Sequence, residues 1–204
     1  MGRLSTFDRE VIGILREENV LQDGEAHLLE SPTGVIVVAC SDGDQMPDIF
    51  DHYRDLARAG EWPVRPHMLC LHGGAMLIAP DCPLYRAFHV DELLLQHIRE
   101  AEGLDLKGIG TVVLYVHAPC GAAGLANLTV VNQLDMLMRA KARVKAIDMT
   151  NRVICFVHVD YGNEGNGSHR RRTYFMSAAG WAEFWNRQGH ELWGRLLGFP
   201  VSAS

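Results

Sequence analysis

Two short stretches carry side chains of the kind that bind transition metals, Cys40-Ser41-Asp42 and His117-Ala118-Pro119-Cys120, with Cys40 and His117 77 residues apart. Two thiolates and an imidazole are three of the four tetrahedral ligands that zinc favours, and a catalytic zinc site keeps its fourth position for water. The donor set suits zinc better than magnesium or calcium, which take oxygen ligands. The ordinary alternative is two unrelated thiols at strand ends and a hydrogen-bonded histidine. A carboxylate two residues after Cys40, and the position of both groups after strand-like runs, favour the metal and with it a metalloenzyme.

The elements that must bring these groups together can be read from pattern. Cys40 ends Val35-Ile36-Val37-Val38-Ala39, and His117 ends Thr111-Val112-Val113-Leu114-Tyr115-Val116. Apolar β-branched runs of this length fit strands covered on both faces, and open α/β sheets bind their ligands at the carboxyl edge of such strands. A third run, His67-Met68-Leu69-Cys70-Leu71-His72, lies between them and is followed by Gly73-Gly74. Pro47 opens a helix in which Ile49, Phe50, Tyr53, Leu56 and Ala57 fall on one stripe. Asp91-Glu92 precede a second stripe of Leu93, Leu94, His97, Ile98 and Ala101.

This alternation predicts an α/β fold with a mostly parallel central sheet flanked by helices. Further along, the pattern predicts one long helix over 125–144, a fourth strand over 152–161 and a terminal helix in 178–204. An N-terminal arm over 1–30 carries a helix over 6–18. The apolar residues of the two terminal helices fit either self-association or packing on the same chain. The turn-rich residues 162–167 and the basic run His169-Arg170-Arg171-Arg172 read as a solvated hairpin tip.

At 204 residues and 48% hydrophobic content, the chain has the size of one domain with a sizeable core. A net charge of −6 excludes a general nucleic-acid surface. The first ten residues have no secretory pattern and no apolar run reaches the length of a membrane span, so a cytoplasmic protein without a membrane partner is expected. Five cysteines, an odd number, argue for reduced thiols or metal ligands over a disulfide framework. Cys70, Cys82 and Cys155 have no partner in the pattern and read as small buried hydrophobes.

The two motifs and their surroundings resemble the β-class carbonic anhydrases. In that family a Cys-Ser-Asp-Ser-Arg stretch gives one thiolate and an Asp-Arg pair, and a Gly-His-x-x-Cys-Gly stretch gives the imidazole and the second thiolate. This chain has Cys40-Ser41-Asp42-Gly43-Asp44 and Val116-His117-Ala118-Pro119-Cys120-Gly121. The likeness continues through Met46-Pro47-Asp48-Ile49-Phe50-Asp51 and through 93–108, and covers roughly residues 31–160. It implies Cys40, His117 and Cys120 as ligands of Zn2+, with Asp42 either orienting the zinc-bound hydroxide or taking the fourth position. Gly121 offers a backbone N–H towards the zinc-bound oxygen, or simply permits a tight turn. The resemblance further implies a homodimer or larger homo-oligomer and reversible hydration of CO2 to bicarbonate; close relatives hydrolyse carbonyl sulfide or carbon disulfide.

Three departures from the family pattern bear on that expectation. Asp44 stands where the family has Arg, which removes the cation paired with Asp42 and puts a second carboxylate beside it; Arg54, Arg65 and Arg86 are candidates to replace the cation through space. His72-Gly73-Gly74-Ala75-Met76 stands where Arg-Asn-Ala-Gly-Asn is expected. Glu30 lies near the place of a substrate-binding glutamine, where a carboxylate would disfavour bicarbonate unless it points away. His72 and His158, at or near strand ends, read as packing residues or as proton carriers in the same cleft. The expected function is a zinc lyase acting on CO2 and bicarbonate. The alternatives are a zinc-binding protein with a closed Cys2HisAsp site and no turnover, and a hydrolase of another small substrate such as COS or CS2.

Overall fold

The structure, a computed structural model, describes residues 3–24, 29–103, 107–148, 152–163 and 169–196. Six strands form its sheet: β1 (Leu21–Asp23), β2 (Val35–Ala39), β3 (Pro66–Cys70), β4 (Thr111–Ala118), β5 (Arg152–Asn163) and β6 (His169–Met176). Their order is β1-β6-β5-β4-β2-β3. The four strands β3, β2, β4 and β5 are parallel, and β6 and β1 add antiparallel pairs at one end. The fold is therefore α/β with a mostly parallel central sheet flanked by helices, as the alternation predicts.

Strand periodicity divides the core. Val35, Val37, Ala39, Val113, Tyr115, Ile154 and Phe156 face α2 (Met46–Ala59), whose Ile49, Tyr53, Leu56 and Ala57 are buried against them. The residues between them, Ile36, Val38, Val112, Leu114, Val116, Cys155 and Val157, point to the other face, which is covered by α1 (Thr6–Glu17), α3 (Val90–Glu102), α5 (Val130–Lys145) and α6 (Ala178–Leu196). Both faces of β2 and β4 are thus dry, which is why these strands read as unbroken apolar runs. Val11, Ile12 and Leu15 of α1 and Trp181, Phe184 and Leu192 of α6 are buried on the same chain. The hydroxyl of Ser5 caps α1 by accepting from the Asp8 N–H at 2.9 Å, and the Asp8 carboxylate accepts from the Val130 N–H at 2.8 Å, which fixes α1 to the start of α5.

The long helix expected over 125–144 is α5 (Val130–Lys145), which starts later than expected; ahead of it lies a separate short helix, α4 (Gly121–Leu125). Asn127 adopts a left-handed conformation with φ 54°, and Thr129 and Asn132 form a capping box that starts a new helix. The basic run is a second correction. β6 begins at His169, so Arg170, Arg171 and Arg172 lie within a paired strand, Arg172 opposite Val159 and Arg171 opposite Asp160. The turn expected around 164–167 falls outside the described residues. All five cysteines are free, and Cys82 and Cys155 are buried. No helix among the described residues is long and apolar enough to cross a membrane.

Candidate metal centre

β2 and β4 are neighbours in the sheet, with Val38 paired to Leu114, so the chain leaves both strands side by side at their carboxyl ends. Cys40 follows the last residue of β2, His117 is the penultimate residue of β4, and Cys120 caps the start of α4. One ligand atom from each of these three buried residues lies within 4.8 Å of the other two, a spacing that can hold a metal ion. Neither nitrogen of His117 has a hydrogen-bond partner, although the side chain is only 2% exposed. A buried imidazole without partners costs free energy unless something satisfies it. A cation at the centre of the cluster would use one of the two nitrogens and both sulfurs.

The sulfurs are electrostatically linked. Cys120 donates to the Cys40 sulfur, and this bond, helped by His117 and by the Gly73 N–H and opposed by burial, pulls the Cys40 thiol far below its ordinary value. Cys120 is raised for the complementary reason: its proton is shared with Cys40 and its sulfur is buried, while the amides of Ala123 and Ala122 act in the opposite direction. The two shifts are thus opposite in direction and share one cause, the contact between the sulfurs. A metal cation bound there would take both sulfurs as thiolates.

Gly73 and Gly74 have a mechanical role beside the cluster. The Gly73 N–H donates to the Cys40 sulfur at 3.4 Å. Gly74 has φ +58°, and a Cβ there would meet the Cys40 nitrogen at 2.7 Å and the Ala39 carbon and Tyr115 oxygen at 3.0 Å. The backbone of residues 73–74 is pressed against the junction of β2 and β4, where only glycine fits.

Asp42 lies over the cluster. One carboxylate oxygen accepts from the Asp44 N–H at 3.0 Å, and the other is 4.0 Å from His117 Nε2. A cleft of about 430 Å³ reaches the cluster at Cys40; Ser41, Asp42, His72 and Gly121 line it together with the apolar Leu84, Tyr85 and Leu125, and His117 and Cys120 are not among its lining residues. His72 sits at this mouth with Nδ1 3.2 Å from the Ser41 hydroxyl. His158 lies beside the cluster but does not line the cleft: it pairs with His117 across β4 and β5, is 2% exposed, and bonds to the Thr173 hydroxyl through Nδ1 at 2.8 Å. Burial pushes its imidazole down to about 4, against the pull of Asp48, so it is neutral at pH 7.

Glu30 is at the other end of the sheet. Its carboxylate pairs with Arg152 at 2.8 Å and its carbonyl accepts from Thr111 Oγ1 at 2.5 Å, both residues being the first of their strands. His117 is six residues along β4, roughly 20 Å away at the usual strand rise. Within this chain the Glu30 carboxylate points away from the cluster. Arg54 pairs with Asp51 and Asp55 on its own helix. The arginine that reaches the loop after Cys40 is Arg171, which donates to the Asp44 carbonyl at 2.9 Å. Comparison with family models, curated proteins and solved structures gives no significant match, so the assignment of this centre rests on its own residues and geometry.

Proposed function

We propose that this chain is a zinc-dependent lyase that reversibly hydrates carbon dioxide to bicarbonate, or acts on a similar small linear electrophile. The observation that carries this reading is the buried Cys40, His117 and Cys120 cluster, with its partnerless imidazole, reached at Cys40 by a cleft at the carboxyl edge of the sheet. Zinc held there would supply a Lewis acid that lowers the pKa of its water ligand from about 15.7 to roughly 7. The two thiolates balance the charge of the dication, and His117 completes the set as a neutral donor. Asp42, above the cluster, is the acceptor that orients the attacking water. Gly121 offers its backbone N–H from the cleft wall, and His72 with Ser41 stands where protons pass to solvent. The likeness to β-class carbonic anhydrases points the same way and brings with it a homodimer as the expected assembly.

Stopped-flow hydration of CO2 tests this reading, with zinc-loaded protein compared with the same sample stripped of metal across roughly pH 7 to 9, around the ionisation of a zinc-bound water. Zinc-dependent turnover is expected; fully loaded protein with no turnover anywhere in that range would contradict it. A second reading has its own support. No cation contacts the Asp42 carboxylate among the described residues, and one of its oxygens lies 4.0 Å from His117 Nε2, so a small movement would bring it to the metal and close a Cys2HisAsp shell. That outcome gives bound zinc without hydration activity and directs the search to COS, CS2 or a binding role.

A further inference from the structure

The loop over residues 41–45 is held in shape mainly by bonds to itself. Asp42 accepts from the amides of Gln45 at 3.1 Å and Met46 at 2.9 Å through its carbonyl, and from Asp44 at 3.0 Å through its carboxylate. Ser41 N–H donates to the Leu71 carbonyl at 3.2 Å and ties down the near end. Two side chains connect its far end to β5: Gln45, whose Nε2 donates to the Asp160 carboxylate, and Arg171 of β6. Arg171 donates from Nε to the Asp160 carboxylate at 3.1 Å and from Nη1 to the Asp44 carbonyl at 2.9 Å, and it also binds the Asp48 carboxylate in the first turn of α2. Asp160 is 5% exposed and also accepts from the Gly162 N–H at 2.8 Å and from Gln45 Nε2 at 3.4 Å. One planar guanidinium thus joins three elements, and its fork of donors makes this possible where a lysine ammonium could not reach all three in fixed directions.

We infer that Arg171 is a positioning residue of the metal centre: by clamping the Asp44 carbonyl, Asp48 and Asp160 together, it sets the Asp42 carboxylate at its distance from the cluster. The inference rests on the metal reading of Cys40, His117 and Cys120. It assigns the cation absent from position 44 to a distant strand, and assigns it a backbone carbonyl as its target in place of the Asp42 carboxylate. Asp44 then serves through its main chain, with its N–H holding Asp42 and its carbonyl held by Arg171.

The test uses cobalt(II) in place of zinc, because its visible ligand-field bands report coordination directly. In Arg171→Ala, cobalt remains bound at one per chain by the three ligands and its bands shift, because the Asp42 carboxylate beside the cluster is no longer held in place. Arg171→Lys gives a spectrum between the two. Asp42→Asn shifts the same bands, and adding Arg171→Ala to it changes them little further, because both substitutions act through one carboxylate. A merely structural role would lower thermal stability and leave the bands unchanged. Unchanged bands in Arg171→Ala, or in Arg171→Lys should the alanine variant not fold, or full additivity with Asp42→Asn, overturn the inference while leaving the metal reading standing. A wild-type chain that binds no cobalt overturns both.

Discussion

Replacing Cys120 by Ser is expected to take zinc from about one per chain to near zero, with affinity weakened on the order of a thousandfold or more, since a serine hydroxyl is not deprotonated at neutral pH and metal binding requires the deprotonated donor. The polypeptide should stay folded. Cys120 lies at the rim of a core whose mass is Val, Ile, Leu and aromatic residues on both faces of the sheet, and it carries none of the strand pairing. Metal analysis and circular dichroism on the same samples separate the two effects. A Cys120→Ser protein that retains stoichiometric zinc would mean that the metal lies elsewhere.

Gly74→Ala is expected to be strongly destabilising. Its Cβ would stand 2.7 Å from the Cys40 nitrogen and 3.0 Å from two further backbone atoms, which cannot rotate away as a side chain can. Left-handed backbone adds about 1–2 kcal/mol for a residue with a Cβ, and forcing an atom into a filled space about 1–3 kcal/mol, for a loss of roughly 2–5 kcal/mol in all. In a domain of this size that lowers Tm by roughly 5–15 °C. The displaced atom is the backbone nitrogen of Cys40, a proposed ligand, so zinc affinity should fall with stability. Gly43→Ala is the control: nothing lies within 4 Å of a Cβ at that position, and it lies in the loop that follows Cys40. Equal thermal stabilities for the two variants would refute the close approach of residues 73–74 to the β2–β4 junction.

The parts of this molecule that were legible in the sequence are those specified by local pattern. Val35 to Ala39 and Thr111 to Val116 are β-branched runs with both faces covered, and the stripe of Ile49, Tyr53, Leu56 and Ala57 could only be a half-buried helix. Because the strands and their crossovers were readable, so was the meeting of Cys40, His117 and Cys120 at one sheet edge. The break between α4 and α5 was written in Asn127 and in the Thr129 and Asn132 box, but an apolar helical pattern on both sides masked it. β1 is three residues long and exists through pairing with β6 some 150 positions away, which no local signal could announce. Arg171 was hidden for a related reason. A run of three arginines after a glycine-rich turn has the composition of a solvated tip, and only the strand register sends Arg171 to Asp160 and the metal loop while Arg170 stacks over Tyr161. The signal that could have found it was the period of two along β6. Glu30 fell near a motif position in sequence, yet the length of β4 puts it at the far edge.

The central claim is that two thiolates and one imidazole at the carboxyl ends of β2 and β4 hold a zinc ion. X-ray absorption at the zinc edge on purified wild-type protein tests it most directly. The account predicts about one zinc per chain with two sulfur scatterers near 2.3 Å and light-atom scatterers at roughly 2.0–2.1 Å, one of them carrying the outer-shell signature of an imidazole. A zinc shell containing only nitrogen and oxygen, or a chain that takes up no zinc with its thiols fully reduced, would contradict it.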